Sequence, residues 1–305
     1  MTWRYYTNDK TSIWTAPTAI WDICKPNGTA NTVPGTCMGP DYTNNSVFQE
    51  RYSASGGSAA QIYKDIQQCH LQQVSFVTPD GAWSDHAGCV GSSCNTSAWG
   101  PAWVANLVNL VGQNPACPLL NNEVYWNDTV ILITWDDWGG WYDPITPPLH
   151  AGGFGYSNNT GSNNVYGFRV PLLVVSAYSP VTPGNPPTQG YVSGAWTSGV
   201  QPTACPNNTP QYCHDFGSIL NFIEYVFGRS GQRLVSISLN YPYADDLAPD
   251  GNPVCGSACP YSLSDFFSFG NPANPFLSDL GSHNSGESRA ELFHKLSGRN
   301  TASGQ

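Results

Sequence analysis

The chain has 305 residues, of which 40% are hydrophobic, enough for one large domain or two small ones. Charged residues make up only 10%, and the formal net charge is -10, so uncharged polar residues carry much of the surface. This balance argues against binding of nucleic acid or an anionic membrane through a broad basic face. No apolar run approaches the roughly 18 residues that an integral membrane segment needs.

Strand and helix patterns alternate along the chain, which predicts an α/β fold with a largely parallel sheet flanked by helices. In chain order, the patterns predict a strand at residues 3–6, a helix at 58–70, a strand at 74–77, a helix at 100–111, strands at 129–134 and 170–175, and a helix at 215–228. Residues 24–57 and 181–212 are predicted loops, because they are rich in residues that favour turns. Residues 244–276 are predicted to be mostly irregular, with a Phe-rich segment at 266–269.

The strand at residues 129–134 leads into the most informative stretch. Its residues are all apolar or β-branched, as in a strand buried on both faces of a parallel sheet. Trp135, Asp136 and Asp137 follow at once, and parallel sheets have their ligand sites at the carboxyl ends of strands. Because side-chain alternation lapses where a strand becomes a loop, both carboxylates can converge on a divalent metal ion. The structural alternative is that one aspartate caps the turn and the other is solvated.

Ten cysteines, most of them in near pairs, indicate disulfides and an oxidising compartment. The near pairs are Cys24 with Cys37, Cys89 with Cys94, Cys205 with Cys213, and Cys255 with Cys259, which leaves Cys69 and Cys117 over. Zinc–cysteine sites are the rival interpretation, but the chain has no Cys-x-x-Cys motif. No signal peptide is visible after Met1, although the composition is like that of an exported protein.

Five stretches in sequence order carry a family resemblance. They are Ser84-Asp85-His86-Ala87, the segment 135–148 with its Asp-Asp-Trp-Gly-Gly-Trp-Tyr-Asp core, Gly167-Phe168-Arg169-Val170-Pro171, residues 218–224 and residues 265–269. As a set, they resemble the phosphoesterase family of bacterial phospholipase C and AcpA-type acid phosphatases, in the alkaline phosphatase superfamily. The resemblance implies a phosphoesterase domain over residues 1–280, with an alkaline phosphatase-like core, and a polar tail over 281–305.

The resemblance implies metal-assisted hydrolysis of phosphoesters, either phospholipase C-like or acid phosphatase-like. In such enzymes a Thr or Ser attacks phosphorus while a metal stabilises the oxygens. Carried across, Asp136 and Asp137 become ligands of a divalent metal ion, and His86 contacts the phosphate or the leaving group. His214 is a second catalytic candidate, with a hydrogen-bonded structural role as its alternative. The implied substrate is a phosphoester or phospholipid, met in the periplasm or outside the cell.

Two departures from the family pattern bear on activity. Pro144 stands where the family has a His, and the family's Glu-Asn metal pair and nucleophile segment have no match in the chain. We therefore expect an N-terminally incomplete core, the C-terminal two thirds of an exported enzyme, with reduced or no activity of this chain alone. Thr78 and Thr134 lie near strand ends, where a threonine is usually a packing or turn residue rather than a nucleophile.

Non-catalytic functions are the alternative. One is a secreted binding protein that keeps the scaffold and a metal, and another is glycan binding, suggested by eleven Trp and sixteen Tyr. The competing interpretation is that Trp135, Trp138 and Trp141 line an active-site cleft. Such aromatic, weakly charged surroundings would suit a lipid or choline head group through cation–π contact.

Overall fold

The computed structural model describes residues 1–10, 14–24, 37–48, 60–79, 84, 96–113, 117, 124–143, 168–180, 216–228, 263 and 266–276. The chain divides into two compact units. The first consists of Met1–Thr129 and Pro275–Gln305, and the second of Val130–Asn274.

A three-stranded parallel sheet belongs to the first unit. Its strands are β1 (Trp3–Thr7), β2 (Ser46–Phe48) and β3 (Val74–Val77), in the spatial order β2-β1-β3. The predicted strands at residues 3–6 and 74–77 are thus confirmed. The predicted loop over 24–57 is wrong where β2 lies and where a short helix forms at Pro40–Asn45, because elements of three to six residues have too little periodicity to be read from sequence. The pairing of β2 with the middle strand, β1, is what makes it a strand.

Five α-helices are described in the first unit. They are α1 (Trp21–Cys24), α2 (Pro40–Asn45), α3 (Gln61–Gln67), α4 (Thr96–Gly112) and α5 (Tyr125–Asp128). α3 lies within the predicted helix at 58–70 and buries the predicted apolar face. α4 begins one turn before its predicted start at residue 100, so Pro101 lies inside the helix rather than in its first turn. The ring there removes one helical hydrogen bond, which the longer helix tolerates.

Two disulfides are present among the described residues. Cys24 is bonded to Cys37, as the near pairing indicated, and the two leftover cysteines, Cys69 and Cys117, are bonded to each other across 48 residues. The second bond joins the residues that follow α3 to those that follow α4, so it closes a large loop of the unfolded chain. The other three near pairs lie outside the described residues.

A buried carboxylate connects β1 to α3. Asp65 is 3% exposed, and its Oδ2 accepts hydrogen bonds from Arg4 Nη1 at 2.6 Å and from the Tyr6 hydroxyl at 2.7 Å. Its Oδ1 accepts from Gln61 Nε2 at 2.7 Å. Burial, followed by the hydrogen bond to Asp65, raises the pKa of the Tyr6 phenol, so Tyr6 keeps its proton and remains a donor. All three donors therefore converge on one charge that is shielded from water.

The second unit contains two strands that run in opposite directions. β4 (Val130–Thr134) pairs antiparallel with β5 (Leu172–Ser176), with Leu132 opposite Val174. The predicted strands at 129–134 and 170–175 are confirmed in position, but the prediction of a largely parallel sheet is wrong for this pair. An apolar run indicates that a segment is a strand. The direction of that strand relative to its partner depends instead on the path of the chain between them.

One face of this strand pair packs on a helix. Val130, Leu132, Leu172 and Val174 surround a buried cluster of Phe222, Leu263 and Phe267. Phe222 belongs to α6 (Phe216–Phe227), which lies within the predicted helix at 215–228. On the other face of the pair Leu173 of β5 is 51% exposed. Residues 130–133 of β4 are only partly buried, so the expectation that the strand at 129–134 is buried on both faces is wrong. The alternation of side chains places one set on the core and leaves the other partly solvated.

The described chain is therefore a mixed α/β structure, with one parallel and one antiparallel sheet. Within the described ranges, none of the helices combines the length and hydropathy needed to cross a bilayer. The alkaline phosphatase-like core and the tail over 281–305 stay predictions, the tail because it lies outside the described residues.

Gly112 offers a test of packing at the end of α4. A Cβ at this position would overlap ring carbons of Phe276. We expect Gly112→Ala to lower the free energy of unfolding by about 1–3 kcal/mol through overpacking, although helix propensity alone favours alanine. Urea denaturation measures the change. Gly270→Ala is the matched control, because its Cβ meets nothing within 4 Å and should cost little. Equal losses in the two variants would contradict the packing argument.

Candidate functional site

The candidate site begins where β4 ends. Thr134, the last residue of the strand, donates a hydrogen bond from its hydroxyl to the Pro171 carbonyl at 2.9 Å. Asp136 and Asp137 then form a bend in which both side chains are exposed. The two carboxylates thus stand directly beyond a strand end, as the sequence predicted. Thr134 has the structural hydrogen bond expected of a strand-end threonine, and the Thr78 hydroxyl likewise shares one with Tyr5 at 2.8 Å.

A tight turn follows the two carboxylates. Oδ1 of Asp137 accepts a hydrogen bond from the Gly139 amide at 2.5 Å, and the Trp141 amide donates to the Trp138 carbonyl at 3.2 Å. Gly139 and Gly140 both adopt positive φ, of 65° and 79°, which side-chain-bearing residues rarely do. Asp137 therefore has the turn-capping contact that the sequence left open as an alternative. This bond engages one carboxylate oxygen.

An ion pair closes the base of the turn. Arg169 donates from Nε to Asp143 Oδ2 at 2.7 Å and from Nη2 to Oδ1 at 3.0 Å, and its amide donates to Oδ2 at 3.3 Å. The planar guanidinium matches the carboxylate in a bidentate arrangement. Since Arg169 stands just before β5 and Asp143 follows the turn after β4, this contact ties the turn to the neighbouring strand.

Four aromatic side chains cluster at this turn, and we call Trp138, Trp141, Tyr142 and Phe168 the aromatic corner. Trp138 and Tyr142 both meet the Phe168 ring at steep angles, with ring centroids 5.2 and 5.9 Å apart. The outer rings are strongly solvated, with Trp141 76% and Tyr142 81% exposed, and Trp138 is 42% exposed. Trp141 and Tyr142 are the two most exposed large hydrophobic side chains among the described residues, which makes the corner a candidate surface for contact with a ligand or partner.

The donor chemistry of the turn fits a hard divalent cation in part. Carboxylate oxygens are suitable ligands, and both aspartates are accessible to solvent. A complete site needs further donors, and among the residues that the structure describes no group of three His, Cys, Asp or Glu side chains is placed to hold a metal. Asp136 and Asp137 therefore supply part of a coordination sphere at most.

The two predicted catalytic histidines, His86 and His214, lie outside the described residues. Ser84, from the same polar loop as His86, belongs to the first unit, whereas Asp136 and Asp137 belong to the second. The expectation that His86 acts together with the two aspartates thus stays a prediction.

Sequence reasoning missed the ion pair of Asp143 with Arg169. Both residues lie in stretches that carried the family resemblance, but no local signal links residues 26 apart in the chain. Composition gave one hint. The chain has only 11 Lys and Arg residues, so an arginine just before a strand is a candidate for an ion pair with a carboxylate.

Comparison with known proteins gives a family match. The profile described as "Phosphoesterase family" matches residues 1–229, which include every strand and helix named above. Non-hemolytic phospholipase C of Burkholderia pseudomallei is 27% identical over 236 residues, which are 72% of this chain and 26% of that protein.

Two further relatives have similar names. Phospholipase C B of Mycobacterium tuberculosis is 27% identical over 128 residues, covering 38% of this chain and 22% of that protein. Non-hemolytic phospholipase C of Pseudomonas aeruginosa is 23% identical over 236 residues, covering 70% of this chain and 26% of that protein. The chain thus spans about a quarter of the length of the curated relatives that it matches.

Proposed function

The chain belongs to the phosphoesterase family, and from this premise we propose that it serves metal-assisted hydrolysis of phosphoesters. The observation that carries the proposal is the pair of exposed carboxylates on the turn that ends β4. The family resemblance makes the same two residues metal ligands. The matched relatives are named as phospholipases C, which favours a phospholipid or another phosphodiester as the substrate class.

Asp136 and Asp137 would hold the divalent metal ion together with donors from elsewhere. When bound, such an ion stabilises negative charge on the phosphate oxygens as a Lewis acid. The protein's own contribution is orientation: the Gly139 amide fixes one Asp137 oxygen, and the Asp143–Arg169 ion pair holds the turn against β5. His86 would contact the phosphate or give a proton to the leaving group, and His214 is the weaker candidate for that role. No residue is assigned as the nucleophile.

The wider proposal concerns the domain and its compartment. We assign residues 1–280 to one phosphoesterase domain with an alkaline phosphatase-like core. An exported location, periplasmic or extracellular, is supported by the Cys24–Cys37 and Cys69–Cys117 disulfides, because such bonds persist in oxidising environments.

The alternative is a non-catalytic secreted binding protein on the same scaffold. The exposure of Trp141 and Tyr142 favours it, since aromatic side chains on a surface can bind a glycan or another ligand directly. Under this alternative the chain is folded and monodisperse but turns over no phosphoester.

Hydrolysis of two soluble substrates tests the proposal. The purified chain is incubated with p-nitrophenyl phosphate and p-nitrophenyl phosphorylcholine in the presence of Mn²⁺, Ca²⁺, Mg²⁺ or Zn²⁺. We expect slow hydrolysis that requires one of these ions and stops when EDTA removes it. Metal binding without turnover would fit both an incomplete catalytic core and the non-catalytic alternative, and adding the family's nucleophile segment would then distinguish them. A folded chain that neither binds these ions nor hydrolyses either substrate would contradict the proposed function.

A further inference from the structure

We propose that the aromatic corner is a docking surface for a zwitterionic phospholipid membrane. This inference rests on the proposed function and extends it, because it identifies the part of the protein that would contact a lipid surface. It depends on the four rings defined above, the turn that presents them and the charges beside them.

The exposed rings are of the residue types that suit a lipid interface. Trp141 and Tyr142 are 76% and 81% exposed and adjacent in sequence, with Trp138 three residues before Trp141. Trp and Tyr combine an apolar ring with a polar N–H or O–H, which is why they concentrate at the head-group level of membranes. In water, these rings keep much apolar surface solvated, whereas at a lipid interface that surface is buried and the polar atoms stay hydrated.

The turn that presents the rings is held in place by several contacts. The Asp137–Gly139 and Trp141–Trp138 hydrogen bonds fix the turn, and the Asp143–Arg169 ion pair fixes its base. A surface that is already ordered loses little conformational entropy when it meets a partner, so more of the binding free energy is retained.

The charges beside the aromatic corner select the kind of membrane. Asp136 and Asp137 lie on the same turn as the exposed rings, and the nearby cation Arg169 is paired with Asp143. With a net charge of -10 for the chain, an anionic surface would be repelled. A zwitterionic surface avoids this repulsion, and its outward ammonium groups face the two carboxylates.

Ring orientation favours a membrane over a glycan. The Trp138 and Tyr142 rings are inclined to the Phe168 ring by 71° and 65°. Phe168 is therefore inclined to both of its neighbours, so these three rings do not form one flat platform on which a sugar ring can stack. Inclined rings of this kind suit insertion among head groups.

Flotation of the full 305-residue chain with lipid vesicles tests the inference. Phosphatidylcholine and phosphatidylglycerol vesicles are compared in EDTA, so that binding is measured without hydrolysis. We expect the chain to float with phosphatidylcholine and to bind phosphatidylglycerol more weakly. The double variant Trp141→Ala with Tyr142→Ala should reduce the bound fraction at limiting lipid by about tenfold or more, as expected for removing two interfacial rings.

The control is Trp14→Ala, which removes a tryptophan that is 50% exposed in the first unit and should leave flotation unchanged. Equal flotation of the double variant and the parent chain would overturn the inference, as would absence of flotation by the parent chain or stronger binding to phosphatidylglycerol. Binding to a soluble polysaccharide that only the double variant loses, without vesicle binding, would assign the corner to a glycan instead. Because the vesicle assay needs neither metal nor turnover, retained flotation by a chain that neither binds a divalent metal nor hydrolyses either substrate would contradict the proposed function alone.

Discussion

Asp136→Asn is expected to weaken divalent metal binding by at least about tenfold to a hundredfold, and metal-dependent hydrolysis with it. Loss of a supporting contact in a metal site typically has an effect of this size, and loss of a direct ligand should not have less. The substitution keeps the shape of an exposed side chain and removes its charge, so the fold should be unaffected. Titration calorimetry with Mn²⁺, Ca²⁺ and Zn²⁺ measures the affinities, and the nitrophenyl substrates measure turnover.

Variants at Asp137 separate its two candidate roles. Asp137→Asn keeps an Oδ1 that can accept from the Gly139 amide, whereas Asp137→Ala removes both charge and acceptor. If Asp137 is a metal ligand, both variants bind metal more weakly. If it only caps the turn, Asp137→Asn behaves like the parent chain, and Asp137→Ala loses about 1 kcal/mol of stability.

The matched control is Asp128→Asn, an exposed carboxylate at the end of α5 in the first unit. It should change neither metal affinity nor turnover. Metal binding that is the same in the parent chain, Asp136→Asn and Asp128→Asn would remove the support for a metal site on this turn.

Asp65→Asn is expected to lower the free energy of unfolding by about 2–4 kcal/mol. Breaking a buried charge pair by removing one partner costs about 3–5 kcal/mol, and the partly exposed Arg4 reduces that figure. An asparagine at this position also turns an N–H group toward Arg4, Tyr6 or Gln61, so donor would face donor. Urea denaturation at neutral pH measures the change.

Two further variants make the result specific to the buried network. Tyr6→Phe removes one of the three donors and should cost less, about 1 kcal/mol. Asp41→Asn removes an exposed carboxylate in the first turn of α2 and should stay within about 0.5 kcal/mol of the parent chain. A loss for Asp65→Asn no larger than that for Asp41→Asn would show that the network contributes little to stability.

Local pattern was sufficient for many of the elements. Apolar runs located β1, β3, β4 and β5, and periodic apolar residues located α3 and α6, because burial demands the same periodicity wherever the element packs. The pair of carboxylates after β4 was likewise evident, since a strand end is a local feature. The Cys24–Cys37 bond also followed from near pairing within an oxidising composition.

Features that depend on distant partners could not be predicted in this way. The sequence did not pair Cys69 with Cys117, join Asp143 to Arg169 or identify Asp65 as the acceptor for Arg4 and Tyr6. It also assigned the wrong direction to the β4–β5 pairing.

The sequence by itself therefore determined the family and the positions of the longer strands and helices, and it identified Asp136 and Asp137 as candidate metal ligands. The tertiary structure decided which strands pair and in which direction, which charges meet, and which aromatic side chains stay in water. The physical reason is the separation along the chain over which each effect acts. Propensity, periodicity and turn chemistry act over a few residues, whereas pairing, ion-pair geometry and exposure are set by groups that only folding brings together. Trp138, Trp141 and Tyr142 read alike as aromatic residues, but only the folded turn shows that Trp141 and Tyr142 project furthest into solvent.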